Sequence, residues 1–384
     1  MTRAHPALTA EHEALRDTMR RFVAREIIPH AATWDEAEEF PRGLYRKAAE
    51  AGLLGIGFPE EYGGTPADLF THVILAEEIA LAGVGGVHAG LFSHQIGAPP
   101  VARAGSAALK ARVLPPVLAG EKISALAITE PGGGSDVAHL KTSARREGVE
   151  YVVDGEKTFI TSGERADFYT VAVRTGGPGA AGVSLLLIER DRPGFSRYPL
   201  KKMGWWCSDT ATLRFDACRV PAANLIGEEN SGFRIIMRNF NAERLGMAAA
   251  AVGYAQACLD DALAWAQERK TFGKRLVEHQ VIAHKLVEMQ TRLHAARSLV
   301  YDTAWKLTHA PREPRWIAQL AMTKNFATRA MGFCADEAVQ TLGGAGFIRG
   351  TRAELIYREV KVMQIGGGAE EIMKDLAARQ LGWC

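Results

Sequence analysis

Three glutamates and a run of glycines are the first candidates for chemistry in this chain. In NFNAERLGMAAAAVGYAQA (239–257), Glu243 and Arg244 precede a string of alanines at the start of a long helical run. A carboxylate beside small apolar residues can lose its water, which raises its pKa and suits it to take a proton. The plainer alternative is a surface glutamate in the first turns of a helix, favoured there by the helix dipole. The second candidate is VMQIGGGAEEIMKDL (361–375), where Gly366, Gly367 and Gly368 precede Glu370 and Glu371. Three glycines give bare, conformationally free backbone, and the glutamates after them are either a catalytic pair or charges at a helix start.

Other stretches offer binding chemistry. ITEPGGGSD (128–136) ends an apolar strand in a loop of Gly132, Gly133 and Gly134, flanked by the hydroxyls of Thr129 and Ser135. Its amides suit a phosphate or the edge of a flavin, although a wide turn between domains would look the same. It is neither a Walker A loop nor G-x-G-x-x-G. ERKTFGKRLVEHQ (268–280) breaks two long helices and presents Arg269, Phe272 and Gln280, a cation, an aromatic face and an amide, on what is otherwise a solvated corner. AVQTLGGAGF (338–347) reads as a helix end capped by glycine. No histidine stands in metal or triad spacing.

The elements that must position these residues fall into three zones. Residues 1 to about 122 read as helices with glycine-rich breaks: Thr9 caps a helix carrying Leu15, Met19, Phe22 and Ile27, and ADLFTHVILAEEIALAG forms a second that ends at Gly83. Residues 123 to about 228 alternate short apolar runs with turns, giving strands in FYTVAVR, GVSLLLIE and ATLRFDACRV and a hairpin around Asp154-Gly155. That spacing suits a small barrel or sandwich. Residues 229 to 384 are helical: Ile282, Leu286, Met289, Leu293, Ala296 and Val300 form a bundle seam, and Leu245, Val252, Leu259 and Ala266 repeat every seven residues. No βαβ pattern appears, which disfavours a Rossmann fold.

Composition narrows the function class. With 384 residues, a net charge of +2 and dispersed Lys and Arg, the chain gives no argument for nucleic acid or an anionic membrane surface. Five scattered cysteines, the lack of an apolar leader in the first residues and the absence of any apolar run near membrane-span length point to a cytoplasmic enzyme with no membrane or metal partner.

Together ITEPGGGSD, FITSG, MGWWCSDTATLRFDACRVPAANLIGEENSGF, ERKTFGKRLVEHQ, LGGAGF and QIGGGAEEIMKDLAAR resemble the acyl-CoA dehydrogenase family, in family order and over nearly the whole chain. The resemblance implies an α+β multidomain fold: an N-terminal helical domain, a middle β-barrel and a C-terminal four-helix bundle. It implies FAD as cofactor, an acyl-CoA substrate, a homotetramer and an electron-transfer flavoprotein as acceptor. An acyl-CoA oxidase or a non-catalytic acyl-CoA-binding relative would share the fold. The family's flavin positions fall on Leu126, Ile128, Thr129, Gly134, Ser135, Phe159, Ile160, Thr161, Ala369 and Glu371. Those that reach a neighbouring subunit's FAD fall on Arg269, Phe272, Gln280, Gln340, Gly343 and Gly344. Ser135, Asn241, Arg244, Gly367 and Gly368 match substrate positions.

The base departs from the commonest family pattern. Most members carry a glutamate at the position of Gly367, in a Tyr-Glu-Gly-Thr motif. The isovaleryl-CoA and long-chain enzymes have a small residue there and a glutamate before an arginine on the first long helix of the bundle, which Glu243-Arg244 matches. The resemblance therefore implies Glu243 as the base for the α-proton and the Gly367 N–H as a donor to the thioester oxygen. Glu370 and Glu371 become charges at a helix start, and the acyl chain length stays open.

Overall fold

A computed structural model describes residues 5–384. Helix α1 (Ala10–Phe22) begins at Thr9, whose side chain accepts from the His12 N–H. It buries Met19 and Phe22, and the chain continues through a wider turn that buries Ile27. Helices α2 (Ala31–Glu36) and α3 (Gly43–Glu50) lead to α4 (Leu69–Ala80). Asp68 caps α4 by accepting from the Thr71 N–H at 2.8 Å. Four further helices, α5 (Gly85–Leu91), α6 (His94–Gly97), α7 (Pro99–Ala104) and α8 (Ala107–Leu118), complete the first zone.

The middle zone is one curled seven-stranded sheet: β1 (Ser124–Ala127), β2 (Ser143–Glu147), β3 (Glu150–Thr161), β4 (Phe168–Arg174), β5 (Val183–Glu189), β6 (Phe195–Pro199) and β7 (Thr210–Pro221). The order is β1-β4-β2-β3-β7-β6, with β5 paired antiparallel to β4. Because β5 takes one edge of β4, the parallel partners β1 and β2 share the other, at its start and its end. The hairpin expected around Asp154-Gly155 is not there. β2 and β3 turn at Gly148, in the left-handed region at φ 61°, and β3 runs straight through Asp154 and Gly155. At that point the pairing with β7 slips, Gly155 takes φ 140°, and the Asp154 carboxylate accepts from the Ala217 N–H at 2.7 Å. The Asp-Gly pair makes a bulge, the other use of a glycine with positive φ. A Cβ at Gly155 would lie 2.7 Å from Thr142 Cα, so the partner strand also needs glycine there.

The third zone is built on α9 (Gly232–Glu268), a helix of 37 residues. A two-stranded ribbon of β8 (Lys270–Thr271) and β9 (Lys274–Arg275) separates it from α10 (Gln280–His309). Then come α11 (Pro314–Leu342), α12 (Gly344–Phe347), α13 (Arg352–Ile365) and α14 (Glu370–Gln380). Leu245, Val252, Leu259 and Ala266 of α9 are buried, as are Leu286, Met289, Leu293, Ala296 and Val300 of α10. Residues 248 to 255 are buried all round, which alanines permit because neighbouring helices can approach closely. No described helix is long and apolar enough to cross a membrane.

Buried polar groups lock the zones together. Glu77 of α4 accepts from Arg297 Nε and the Tyr301 hydroxyl of α10, both at 2.8 Å. Glu359 of α13 accepts from the N–H groups of Gly85, at the start of α5, and of Trp205. Burial pushes the Glu359 carboxyl up to about 8. Next to it, the Trp206 ring is flanked by the guanidinium groups of Arg349 and Arg358 at 4.5 and 3.9 Å. The MGWWCSD stretch is thus the seam between the sheet and the last helices.

The α4–α9 contact sets the position of everything carried on α9. A Cβ at Gly253 would lie 2.2 Å from the Glu77 carbonyl oxygen and 2.7 Å from Ala80 Cβ. Gly253→Leu is expected to destabilise by about 3 kcal/mol through overpacking. Gly246→Ala on the same helix, where a Cβ meets nothing within 4 Å, is expected to be neutral or stabilising by up to about 1 kcal/mol. Denaturant unfolding of both variants measures the contrast.

Candidate active site

Helix α9 carries Glu243 about three turns in from its start at Gly232, and the α13–α14 junction brings Gly367 up against it. A Cβ built on Gly367 would lie 3.9 Å from Glu243 Oε1 and 2.7 Å from Met247 Sδ. The two positions that the sequence separates by more than a hundred residues therefore meet at one point. Met247, one helical turn beyond Glu243, fills the space where a side chain at 367 would start. Gly367 and Gly368 take φ 64° and 115°, in the left-handed region that favours glycine.

Glu243 is half-buried, with one carboxylate oxygen covered. Its Oε2 is buried with no hydrogen-bond partner, and among the described residues it forms no ion pair. Burial pushes Glu243 up to about 7, opposed by the charges of Arg244 and Lys324. Arg244 is adjacent in sequence but faces elsewhere, since neighbours on a helix do not share a face. Its Nε donates to the Gly367 carbonyl at 3.0 Å and one terminal nitrogen donates to Asn241 Oδ1 at 3.2 Å. Lys324 of α11, fully buried, donates from Nζ to the carbonyls of Gly368 at 2.8 Å and Gln364 at 3.0 Å. Gly366 N–H closes α13 on Val362 O at 2.7 Å, while the Gly367 N–H has no backbone partner among the described residues.

Glu370 is bound to other work: its carboxylate accepts from Arg329 Nε at 2.9 Å and its carbonyl from Asn325 at 2.9 Å. Arg329 holds that carboxyl below its ordinary value. Glu371 is exposed on the first turn of α14, and Ala369 is the residue before that helix.

The glycine loop after β1 is fastened by a buried ion pair. Lys157 Nζ, fully buried, donates to Ile128 O at 3.0 Å and to Glu130 Oε1 at 2.8 Å. Burial pulls Lys157 down to about 8, and Glu130 opposes the fall. Glu130 also accepts from the N–H groups of Lys141 and Thr142. Thr158 N–H donates to Thr129 O at 2.8 Å, which lays the loop beside β3. There the β3–β7 register slips between Lys157 and Ile160, Phe159 takes φ 60°, and its ring swings out, 69% exposed. Ile128 and Ile160 point into the core, Leu126, Thr129 and Thr161 are half-buried, and Gly134 and Ser135 are exposed. Helix α6 links this face to α9: Asn239 donates to Ile96 O at 3.0 Å, and Thr170 of β4 donates to Gly97 O at 2.7 Å.

A second cluster lies at the far end of α9. Glu243 and Arg269 are 26 positions apart, about 39 Å along a helix, so one chain does not bring them together. Arg269, Gly343 and Gly344 line a shared cleft of about 410 Å³ with Trp265 and Leu276. Gln280 and Gln340 are exposed nearby in the sequence of the same helix ends, outside that lining. Phe272, at the tip of the β8–β9 ribbon with φ 50°, is 97% exposed.

Sequence reasoning singled out neither Met247 nor the lysines. Lys324 and Arg329 are the two cations of AQLAMTKNFATRAMG, and nothing in that stretch marks the first as the buried one. Lys157 hid in a strand whose alternation looked ordinary.

A half-buried carboxylate thus faces a turn with no side chains, and a glycine-rich loop lies beside an outward aromatic. Family models for the N-terminal, middle and C-terminal domains of acyl-CoA dehydrogenase match residues 9–121, 125–218 and 230–382. The chain belongs to the acyl-CoA dehydrogenase family. It is 36% identical to an acyl-CoA dehydrogenase of Bacillus subtilis strain 168, over 97% of this chain and 98% of that one. It is also 36% identical to the mitochondrial long-chain specific acyl-CoA dehydrogenase of Sus scrofa, over 97% and 87%. The crystal structure of acyl-CoA dehydrogenase from Geobacillus kaustophilus superposes with a TM-score of 0.92 at 35% identity, covering 98% of this chain and 100% of that one. The family is FAD-dependent. The residues present fit that cofactor: a Cβ at Gly132 or Gly133 would meet nothing within 4 Å, so a ligand can approach the loop backbone closely, although the Gly133 N–H itself is turned inward to Glu130 O at 3.0 Å, and most of the Phe159 side chain is exposed beside it.

The Glu243 carboxyl has a folded pKa of about 7 against an ordinary 4.5. A raised carboxyl pKa leaves stability intact below the unfolded value and removes it as pH climbs to the folded one. Glu243→Gln is therefore expected to raise stability by about 2–3 kcal/mol at pH 8, and the gain should vanish towards pH 4.5. Thermal unfolding of both proteins across that range measures it; a gain that grows on acidification would contradict the burial.

Proposed function

We propose that this protein catalyses α,β-dehydrogenation of an acyl-CoA thioester to the trans-2-enoyl-CoA, with Glu243 as the base for the α-proton. The observation that carries the reading is the unpaired, half-buried Glu243 carboxylate converging with Gly367, a residue that offers backbone and nothing else. An α C–H of a thioester is a weak acid, and two things make it removable: a base of matched pKa and a donor for the charge that builds on the thioester oxygen. A base near neutrality meets the first need. The Gly367 N–H meets the second, with its own carbonyl held by Arg244. Asn241 steadies Arg244, and Ser135, Gly368 and the Arg244 side chain complete the substrate set.

Leu126, Ile128, Thr129, Gly134, Ser135, Phe159, Ile160, Thr161, Ala369 and Glu371 would hold FAD from this chain. Arg269, Phe272, Gln280, Gln340, Gly343 and Gly344 would hold that of a neighbouring subunit in a homotetramer. Their distance from Glu243 within one chain supports that division. Bound FAD supplies the acceptor for the β-hydride. An electron-transfer flavoprotein is the proposed onward acceptor. Both long-chain and isobutyryl-CoA enzymes are among the relatives, so likeness alone does not fix the acyl chain, and a panel of straight and branched acyl-CoAs defines it.

The base must be deprotonated to act. Anaerobic flavin bleaching by acyl-CoA is thus expected to quicken as pH rises through about 7 and to level off above; a rate falling over that range would overturn the assignment. Relocation tests the geometry. Glu243→Gly with Gly367→Glu should recover only weak bleaching, because Met247 must swing away from a new Cβ that its Sδ meets at 2.7 Å and φ 64° at 367 strains any side chain. Adding Met247→Ala should quicken that bleaching, still limited by the positive φ at 367.

A further inference from the structure

Lys324 is the buried cation that neither the base nor the flavin site accounts for. It lies on α11, between α9 and the α13–α14 junction, and is fully buried. A buried ammonium normally loses its charge or finds a carboxylate. Lys324 Nζ instead donates to two main-chain carbonyls, Gln364 O at 3.0 Å and Gly368 O at 2.8 Å. These two oxygens bracket the Gly366–Gly368 turn. The Gln364 carbonyl is one of the last of α13, left without a helical partner, and the Gly368 carbonyl lies just ahead of Ala369, the cap of α14. Arg244 holds the carbonyl between them, that of Gly367, at 3.0 Å.

Three consecutive glycines have the widest choice of backbone conformations of any tripeptide, so the turn cannot hold one geometry by itself. An N–H that must meet a developing oxyanion has to be aimed before the reaction to be worth much. The clamp supplies the missing rigidity from outside the turn. We propose that Lys324 is the positioning residue for the thioester oxyanion, pinning both ends of the glycine turn so that the Gly367 N–H is fixed opposite Glu243. The inference rests on the acyl-CoA reading above. Lys324 spends its hydrogen bonds on the turn and acts through it. The charged groups that face it are Glu243 and Arg244 of α9 and Glu370 of α14, and its charge also helps hold Glu243 down.

The test uses the FAD-loaded enzyme and acetoacetyl-CoA, whose β-carbon carries no hydrogen to give up, so that the bound ligand enolises without turnover. Titrating the enolate absorbance gives the pKa of the bound ligand. The wild-type protein should acidify it relative to the free compound. Lys324→Met should return that pKa towards the free value by about one unit, tenfold in the enolisation constant, and move the acid limb of flavin bleaching to higher pH as Glu243 loses a nearby cation. Lys324→Gln, which keeps a donor for one carbonyl, should fall between. A Lys324→Met protein that melts earlier but enolises the ligand as the wild type does would show a structural role only and overturn the proposal. If Lys324→Met does not fold, Lys324→Gln decides on the same readout. If the wild-type protein fails to acidify acetoacetyl-CoA at all, the reading of Gly367 as the thioester donor fails, whatever Lys324 does.

Discussion

The rest of the site depends on taking the Glu243 carboxylate partly out of water, with its Oε2 covered, without giving it a partner. A carboxylate in an ion pair is a poor base, and one in water is a weak one. Here the partial cover comes from small residues on α9 and from a turn without side chains, and the compensation comes from cations that do not touch it. Arg244 and Lys324 spend their hydrogen bonds on the carbonyls of Gly367, Gly368 and Gln364. Their charges still act on Glu243 from a distance, which keeps it near 7 where burial alone would carry it higher. One pair of side chains thereby tunes the proposed base and holds the turn that faces it.

This arrangement works only if α9 and the α13–α14 junction keep their relative position, and most of the architecture serves that end. Gly253 lets α4 and α9 meet backbone to side chain. Glu359 ties α13 to the start of α5 and to the β6–β7 loop at Trp205. On the opposite face, the Glu130–Lys157 pair holds the glycine loop against β3, where Phe159 turns outwards. The length of α9 then separates two groups of residues that resemblance assigns to one cofactor, which makes assembly with a second copy part of the proposed site.

Much of this was legible because it follows from period and capping. The seven-residue repeat from Leu245 to Ala266 and the Thr9 cap depend on local rules that tertiary packing did not override. The Asp154-Gly155 turn failed for a physical reason: the same pair that favours a hairpin also favours a bulge, and the partner strand β7 decides between them. Glu243 was visible through resemblance to relatives that lack a side chain at the Gly367 position; composition alone left it a surface glutamate. Met247 and Lys324 were hidden because their roles exist only across long sequence separations. Nothing local to a lysine in an apolar helix tells which carbonyls it will reach.

The account stands on one carboxylate, and rapid mixing of Glu243→Gln with acyl-CoA at pH 8 under anaerobic conditions tests it most directly. The variant should retain FAD and bind the thioester, and its flavin should stay oxidised on the timescale in which the wild-type flavin bleaches. Bleaching at close to the wild-type rate would contradict the account and place the base elsewhere.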